Sequence, residues 1–183
     1  MTSPALGRTV LAIDELIQRP DIGDILDQFR TAMSKSGLGW LQDQNDAAAI
    51  QVHDRMAVVT DLIGEEMKHL PASGHPDWIR LGLLTEFITW ACGKSDTCTH
   101  NPSASRPQPV SAAAWKPGLV VCGACVRLLD LPRNSPKDRT CDACGTVTSG
   151  EADGNGIWSI TVAHGAFLYL AGVCRDCQYW ETS

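Results

Sequence analysis

No stretch of this chain stays apolar for the roughly 18–20 residues that a membrane-spanning helix needs. The N-terminus, Met1-Thr2-Ser3-Pro4-Ala5, lacks the basic start and apolar stretch of a secretory signal. A cytoplasmic protein is therefore expected. Common catalytic signatures are also missing. The sequence has no G-x-x-x-x-G-K-S/T, no H-E-x-x-H and no G-x-S-x-G. Nor does it contain the H-x-E that a nucleobase deaminase needs ahead of its P-C-x-x-C. These absences point away from an enzyme. An excess of positive charge is missing too. The 15 Lys and Arg against 21 Asp and Glu give a net charge of −6. Affinity for nucleic acid needs a basic stripe to meet phosphates. The best patch is Arg127, Arg133, Lys137 and Arg139, and Asp130 and Asp138 dilute it.

What is present is unevenly distributed. The first 91 residues hold no cysteine, and all eight lie at or beyond Cys92. The whole excess of negative charge lies in residues 1–92, while residues 93–183 balance. Charge and cysteine thus draw the same boundary. The expected organisation is a helical bundle over 1–91 and a metal-binding region over 92–183, with units at about 92–131 and 140–183. The fold class is α+β, with a small N-terminal helical bundle followed by a β-hairpin-rich region.

Four stretches of the first half have helical period. Residues 9–18 form the first, with Thr9 as a candidate N-cap. Pro20 ends it and Asp21 caps the next. Ile22, Ile25, Leu26, Phe29 and Met33 make one apolar stripe at i, i+3, i+4, i+7 and i+11. Ser36-Gly37-Leu38-Gly39 interrupts it. A third helix starts near Asn45 or Asp46, along Val52, Met56, Val59, Ile63, Met67 and Leu70. A fourth follows Pro76, with Trp78, Ile79, Leu81, Leu83, Leu84, Phe87, Ile88 and Trp90 on almost every face. Such a helix belongs at the centre of the bundle. Glu66-Met67-Lys68-His69 matches half of a di-iron Glu-x-x-His pattern, but that site needs two such motifs and two further glutamates. His53 and His75 stand alone. The acidic faces are solvated surface or a docking face for a basic partner.

The cysteines come in pairs. Cys122/Cys125, Cys141/Cys144 and Cys174/Cys177 are CxxC, and the wider Cys92/Cys98 is followed by His100. A disulfide framework belongs to a secreted chain. Four consecutive pairs instead match two four-coordinate zinc sites, with thiolates about 2.3 Å from each ion. The expected ligands are all eight cysteines, Cys92, Cys98, Cys122, Cys125, Cys141, Cys144, Cys174 and Cys177, around two Zn²⁺. Gly145 after Cys144 eases the turn and lets backbone N–H groups face sulfur.

On this spacing, residues 92–183 resemble the zinc-ribbon and treble-clef finger superfamily. That resemblance implies a knuckle on a β-hairpin supplying two ligands and the first turn of a helix supplying the other two. Cys122-Gly-Ala-Cys125 and Cys174-Arg-Asp-Cys177 are similar to that second half. Two pairings are open. One joins Cys122/Cys125 to Cys141/Cys144. The other is sequential, Cys92/Cys98 with Cys122/Cys125 and Cys141/Cys144 with Cys174/Cys177. The sequential pairing is preferred because each site closes less chain. The span 145–173 also carries its own hairpin, with Trp158, Ile160 and Val162 alternating, a turn at His164-Gly165, and a return along Phe167–Ala171. His100 is an alternative ligand to Cys92 or Cys98. Four thiolates already complete a closed site, so it is read as a polar loop residue. Residues 99–118 read as an exposed loop, and 131–139 as a linker.

Two closed four-thiolate sites leave no open position for catalysis. The Cys144-to-Cys174 spacing is similar to that of rubredoxins, but those carry glycine after both pairs and Gln178 follows the second here. The leading functional reading is a two-zinc module for protein–protein interaction or adaptor work with an unidentified protein partner. Nucleic-acid binding is the alternative, and a thiol-redox or iron protein comes third. Trp115, Trp158 and Trp180 are the candidate contact aromatics.

Overall fold

The computed structural model describes residues 3–63, 68, 70–149 and 156–179. Four α-helices precede the strands among these residues: α1 Pro4–Ile17, α2 Ile22–Lys35, α3 Gly39–Ile63 and α4 Asp77–Ala91. Helix α1 starts earlier than Thr9. Ser3 caps it by accepting from Leu6 N–H at 3.2 Å, and Pro4 follows in the first turn. A missing proline N–H costs nothing at that position. Asp21 occupies the N-cap of α2, yet its carboxylate is held by Arg19 Nε and Nη2 at 2.8 and 2.6 Å. Helix α3 starts at Gly39, ahead of Asn45.

Five strands follow: β1 Asp96–Thr97, β2 Val110–Ala113, β3 Leu119–Cys122, β4 Trp158–His164 and β5 Phe167–Val173. They form one mixed sheet in the order β1-β3-β2-β5-β4. Strands β2 and β5 pair in parallel, whereas β2–β3 and β4–β5 are antiparallel. The β4–β5 hairpin turns where His164 faces Phe167, with Gly165 at φ +56°.

Strand β2 lies inside the segment expected to be an exposed loop. Val110, Ser111, Ala112 and Ala113 are all buried there. Small side chains let layers close in from both sides of this central strand. Val110, Ala112, Val120, Phe167, Tyr169 and Ala171 face one way, toward Val10 of α1 and Ile79, Leu83, Leu84, Ile88 and Trp90 of α4. Ala113, Val121 and Leu170 face the other.

Helix α4 is therefore central, as its all-round apolar surface requires. It is enclosed by α1 and the sheet instead of by other helices, and the core runs without a break across residue 92. Gly82 permits the close approach, because a Cβ there would lie 2.5 Å from the Tyr169 hydroxyl. A buried ion pair fixes α1 on α4. Arg80 Nε donates to Asp14 Oδ1 at 2.9 Å, and Arg80 also reaches Asp77 and the His75 carbonyl. Helices α2 and α3 pack on each other, α3 also touches β4 and β5 and buries Ala48 and Val52, and α2 has no buried residue.

Candidate metal centres

The first centre is built where β1 and β3 run side by side. Thr97 is in register with Val120, which places Cys98 beside the end of β3. The chain then turns sharply. Asn101 adopts φ +45° and its N–H donates to the Cys98 carbonyl at 2.8 Å. That turn returns His100 to the same side as Cys98. Cys122 ends β3 in extended conformation, and a 3-10 turn over Gly123–Leu129 brings Cys125 back. Cys98 and Cys122 sulfurs are 3.7 Å apart, and His100 Nδ1 is 3.2 Å from Cys125 Sγ and 3.5 Å from Cys122 Sγ.

The second centre repeats the device. Cys141 N–H donates to the Thr146 carbonyl at 2.9 Å, Thr140 bridges Val147, and Gly145 turns the knuckle at φ +76°. Cys174 leaves β5 with φ −75° and ψ 168°, close to the −74° and 165° of Cys122. A 3-10 turn, Arg175–Cys177, then presents Cys177. Cys144 and Cys174 sulfurs are 3.8 Å apart.

These separations decide between a disulfide and a metal. A disulfide needs about 2.05 Å between sulfurs. Four ligands at zinc–sulfur and zinc–nitrogen bond lengths stand about 3.4–3.8 Å from one another at the corners of a tetrahedron. In each group all four ligand atoms lie within 4.8 Å of one another. The donor sets are thus Cys98, His100, Cys122 and Cys125, and Cys141, Cys144, Cys174 and Cys177. Both fit a tetrahedral cation of zinc's size. The identity of the metal does not follow from geometry alone, since thiolate and imidazole also suit iron and copper.

The groups are sequential along the chain, with one departure from expectation. Cys92 is exposed and belongs to neither group. It forms the end of α4, where its N–H donates to the Ile88 carbonyl at 3.0 Å and Gly93 follows at φ +66°. Held there by the helix, it stays apart while the chain crosses to β1, and His100 supplies the fourth donor. Among the other histidines, His53 is exposed beside Asp54, and His75 Nδ1 pairs with the Tyr179 hydroxyl at 2.9 Å. Glu66 and His69 lie outside the described residues, as do Trp180 and most of the 151–156 loop. Trp115 packs against the first centre, its Nε1 donating to the Leu129 carbonyl at 2.7 Å.

The thiols show what a cation would do in each group. Burial opposes ionisation of Cys98, but the N–H groups of Cys122 and His100 point at its sulfur and bring it down to about 6. Cys144 is brought down to about 6, chiefly by the Thr146 hydroxyl, 3.2 Å away, and the Thr146 N–H. Their neighbours move the other way. Cys125 is pushed up to about 11, by desolvation and then by Cys98 and Cys122. Cys174 and Cys177 are raised by desolvation and their neighbouring sulfurs. One thiolate per group forms readily, and ionisation of Cys125, Cys174 and Cys177 is opposed by burial and then by neighbouring sulfur charge. A divalent ion removes that opposition.

Supporting residues lie just outside both centres. Asp142 sits inside the second knuckle with a buried side chain. Its Oδ2 accepts from Gly172 N–H at 2.8 Å, and Lys137 Nζ is 3.2 Å from its Oδ1. The Asp142 N–H also donates to the Gly172 carbonyl at 2.8 Å, so the knuckle is pinned to β5 at both ends of one residue. Gly172 allows this, because a Cβ would meet Ile157 Cγ2 at 2.6 Å. At the first centre the Arg55 guanidinium of α3 lies against Gly123, where a Cβ would be 2.6 Å from Nη1. The sequence signal for Asp142 is its place between two ligands. Nothing in the sequence signals Arg55.

The two units are turned over relative to each other. Because β2 is antiparallel to β3 and parallel to β5, Cys122 and Cys174 leave the sheet at opposite ends. The first centre packs on the face away from α4, through Ala113 and Val121. The second is continuous with the helix-covered face, through Trp78 and Ile160. Comparison of the chain with protein-family models, curated proteins and solved structures found no match. Among the described residues, no helix is long and apolar enough to cross a membrane.

Proposed function

We propose that this chain is a zinc-stabilised interaction module, with two structural Zn²⁺ and a docking face on its helical hairpin. The observation that carries the metal role is that each group offers four donors at tetrahedral separations. Saturated sites of that kind hold a fold together and leave no position for substrate. Their role here is to fasten knuckles and short strands that bury little by themselves.

The docking reading rests on α3. Its inward line, Ala48 and Val52, is buried. Its outer face carries Trp40, Ile50, Val58 and Leu62, all exposed, interleaved with Asp43, Asp54 and Asp61. Apolar groups among acidic ones suit a partner surface that is itself apolar and basic, such as an amphipathic helix rich in Leu and Lys. Nucleic acid does not suit this charge.

Two measurements test the reading. Replacing Cys122 or Cys174 by Ser should abolish cooperative unfolding, as a structural ligand requires; a variant that folds normally contradicts the structural role. A Leu/Lys amphipathic peptide should bind the metal-loaded chain and release with salt. Leu62→Glu should weaken that binding at least tenfold with the melting midpoint unchanged, and equal binding by the variant contradicts the docking face.

A further inference from the structure

Between the α2–α3 hairpin and the core lies a cavity of about 510 Å³. One wall is the α2 stripe, Leu26, Phe29 and Met33. The other is an aromatic cluster from α4 and β5, Phe87, Trp90 and Phe167. This second wall is ordered by its own packing. Phe87 meets Phe167 edge to face with centroids 5.6 Å apart, and Trp90 lies 5.8 Å from Phe167. Phe167 and Trp90 are buried, whereas Leu26 and Phe29 remain 50% and 60% exposed. A stripe with core-facing periodicity thus stands across a gap from a finished aromatic floor.

The size of the gap selects its occupant. One turn of α-helix, about 10–12 Å across and 5.4 Å long, would fill roughly 400–600 Å³. A partner helix would therefore enter by one turn at most. A drug-sized molecule fits whole, because such sites span about 300–1,000 Å³. The lining selects the chemistry. Among the described lining residues the charged groups are Arg30 and Asp46, of opposite sign, and Arg30 already lies 3.9 Å from Asp27. Gln42, Asn45, Gln108 and His164 supply neutral hydrogen-bonding groups. His164 stands edge-on to Phe87 at 5.9 Å. Ring faces, ring edges and the Met33 thioether all favour aromatic guests.

We propose that this cavity is a binding site for an uncharged, aromatic, drug-sized molecule, which clamps the α2–α3 hairpin onto α4 and β5. The site is separate from both metal centres and from the outer face of α3, so it stands whether or not that face docks a partner.

The test uses N-phenyl-1-naphthylamine, a neutral aromatic fluorophore, titrated into the metal-loaded full chain. Saturable binding of one probe per chain is expected, with blue-shifted emission. Leu26→Glu and Phe29→Asp should each weaken it at least tenfold. Because α2 buries no residue, both should keep the wild-type melting midpoint. Gln108→Trp fills the cavity from the opposite loop without adding charge, and should also abolish binding. Leu11→Glu, at an exposed apolar position on α1, should bind the probe like the wild type. Absence of saturable binding, or equal loss in Leu11→Glu, overturns the proposal. So does a dimer in sedimentation that Phe29→Asp dissociates, since the cavity would then be an interface between two copies of this chain.

Discussion

Replacing Asp142 by Ala removes a side chain that ties the second knuckle to β5. Its carboxylate is buried, accepts from Gly172 N–H at 2.8 Å and meets Lys137 at 3.2 Å. A hydrogen bond to a charged group contributes about 1.5–3 kcal/mol, and the Gly172 amide would lose its acceptor in a part-buried position. The ligands themselves stay, so the metal should still bind. Loss of a supporting partner typically lowers metal affinity about 10–100-fold. The expected outcome for Asp142→Ala is a loss of about 2–3 kcal/mol in stability and a matching fall in affinity at one of two zinc ions. Asp142→Asn should fall between, because the amide oxygen still accepts from Gly172 while the attraction to Lys137 is gone. The assay is zinc transfer to a chromophoric chelator. The wild type should release two zinc ions, and in Asp142→Ala one phase should accelerate while the other keeps its rate. If both phases accelerate equally, or neither does, Asp142 does not position the second centre.

Other perturbations separate the remaining claims. Asp14→Asn leaves the part-buried Arg80 with the exposed Asp77 as its charged partner among the described residues. It should cost about 2–3 kcal/mol, against less than about 1 for Asp77→Asn; equal effects on thermal unfolding would contradict a buried tie between α1 and α4. Glu86 is raised by burial, and the Gly118 N–H offsets only part of that. Its raised pKa means that its contribution is full below the unfolded value and falls as pH rises through the folded one. Glu86→Gln should therefore match the wild type near pH 4.5 and gain on it toward pH 8, as read from paired melting curves; a gap that widens on acidification has the wrong sign. Gly172→Ala should lose several degrees of melting temperature from the clash with Ile157, and a neutral result would contradict the close approach of β5 to that side chain.

Much of the site was legible because metal chemistry constrains sequence tightly. Two thiols three apart face one ion only through a narrow turn, so the CxxC pairs stand in the spacing itself, whereas spacing allowed two groupings and only the shorter chain closure preferred the sequential one. The β4–β5 hairpin was legible for a similar reason, since Trp158, Ile160 and Val162 keep period two. His100 was not, because spacing weighs Cys92 and His100 alike. What separates them is that Cys92 is committed as the end of α4, a tertiary fact. Strand β2 was hidden by composition. Ser111, Ala112 and Ala113 have no β-branched signature, and their small size matters only once layers pack on both faces. Helix α4 announced its central place but not its neighbours, because an apolar surface packs equally well on helices or on a sheet. The α2 stripe gave the reverse result. Its periodicity predicts burial, and Leu26 and Phe29 remain exposed at the cavity.

The central claim is that two tetrahedral ions are held by seven sulfurs and one imidazole. X-ray absorption at the zinc edge of the purified chain, with metal content measured on the same sample, tests it directly. Two zinc ions per chain are expected. Their averaged first shell should hold seven sulfurs to one nitrogen, in line with the two donor sets, and the nitrogen contribution should vanish in His100→Cys. A shell of sulfur alone in the wild type would return Cys92 to the first centre. Fewer than two metals, with sulfur–sulfur distances near 2.05 Å, would replace metal centres by disulfides and contradict the account.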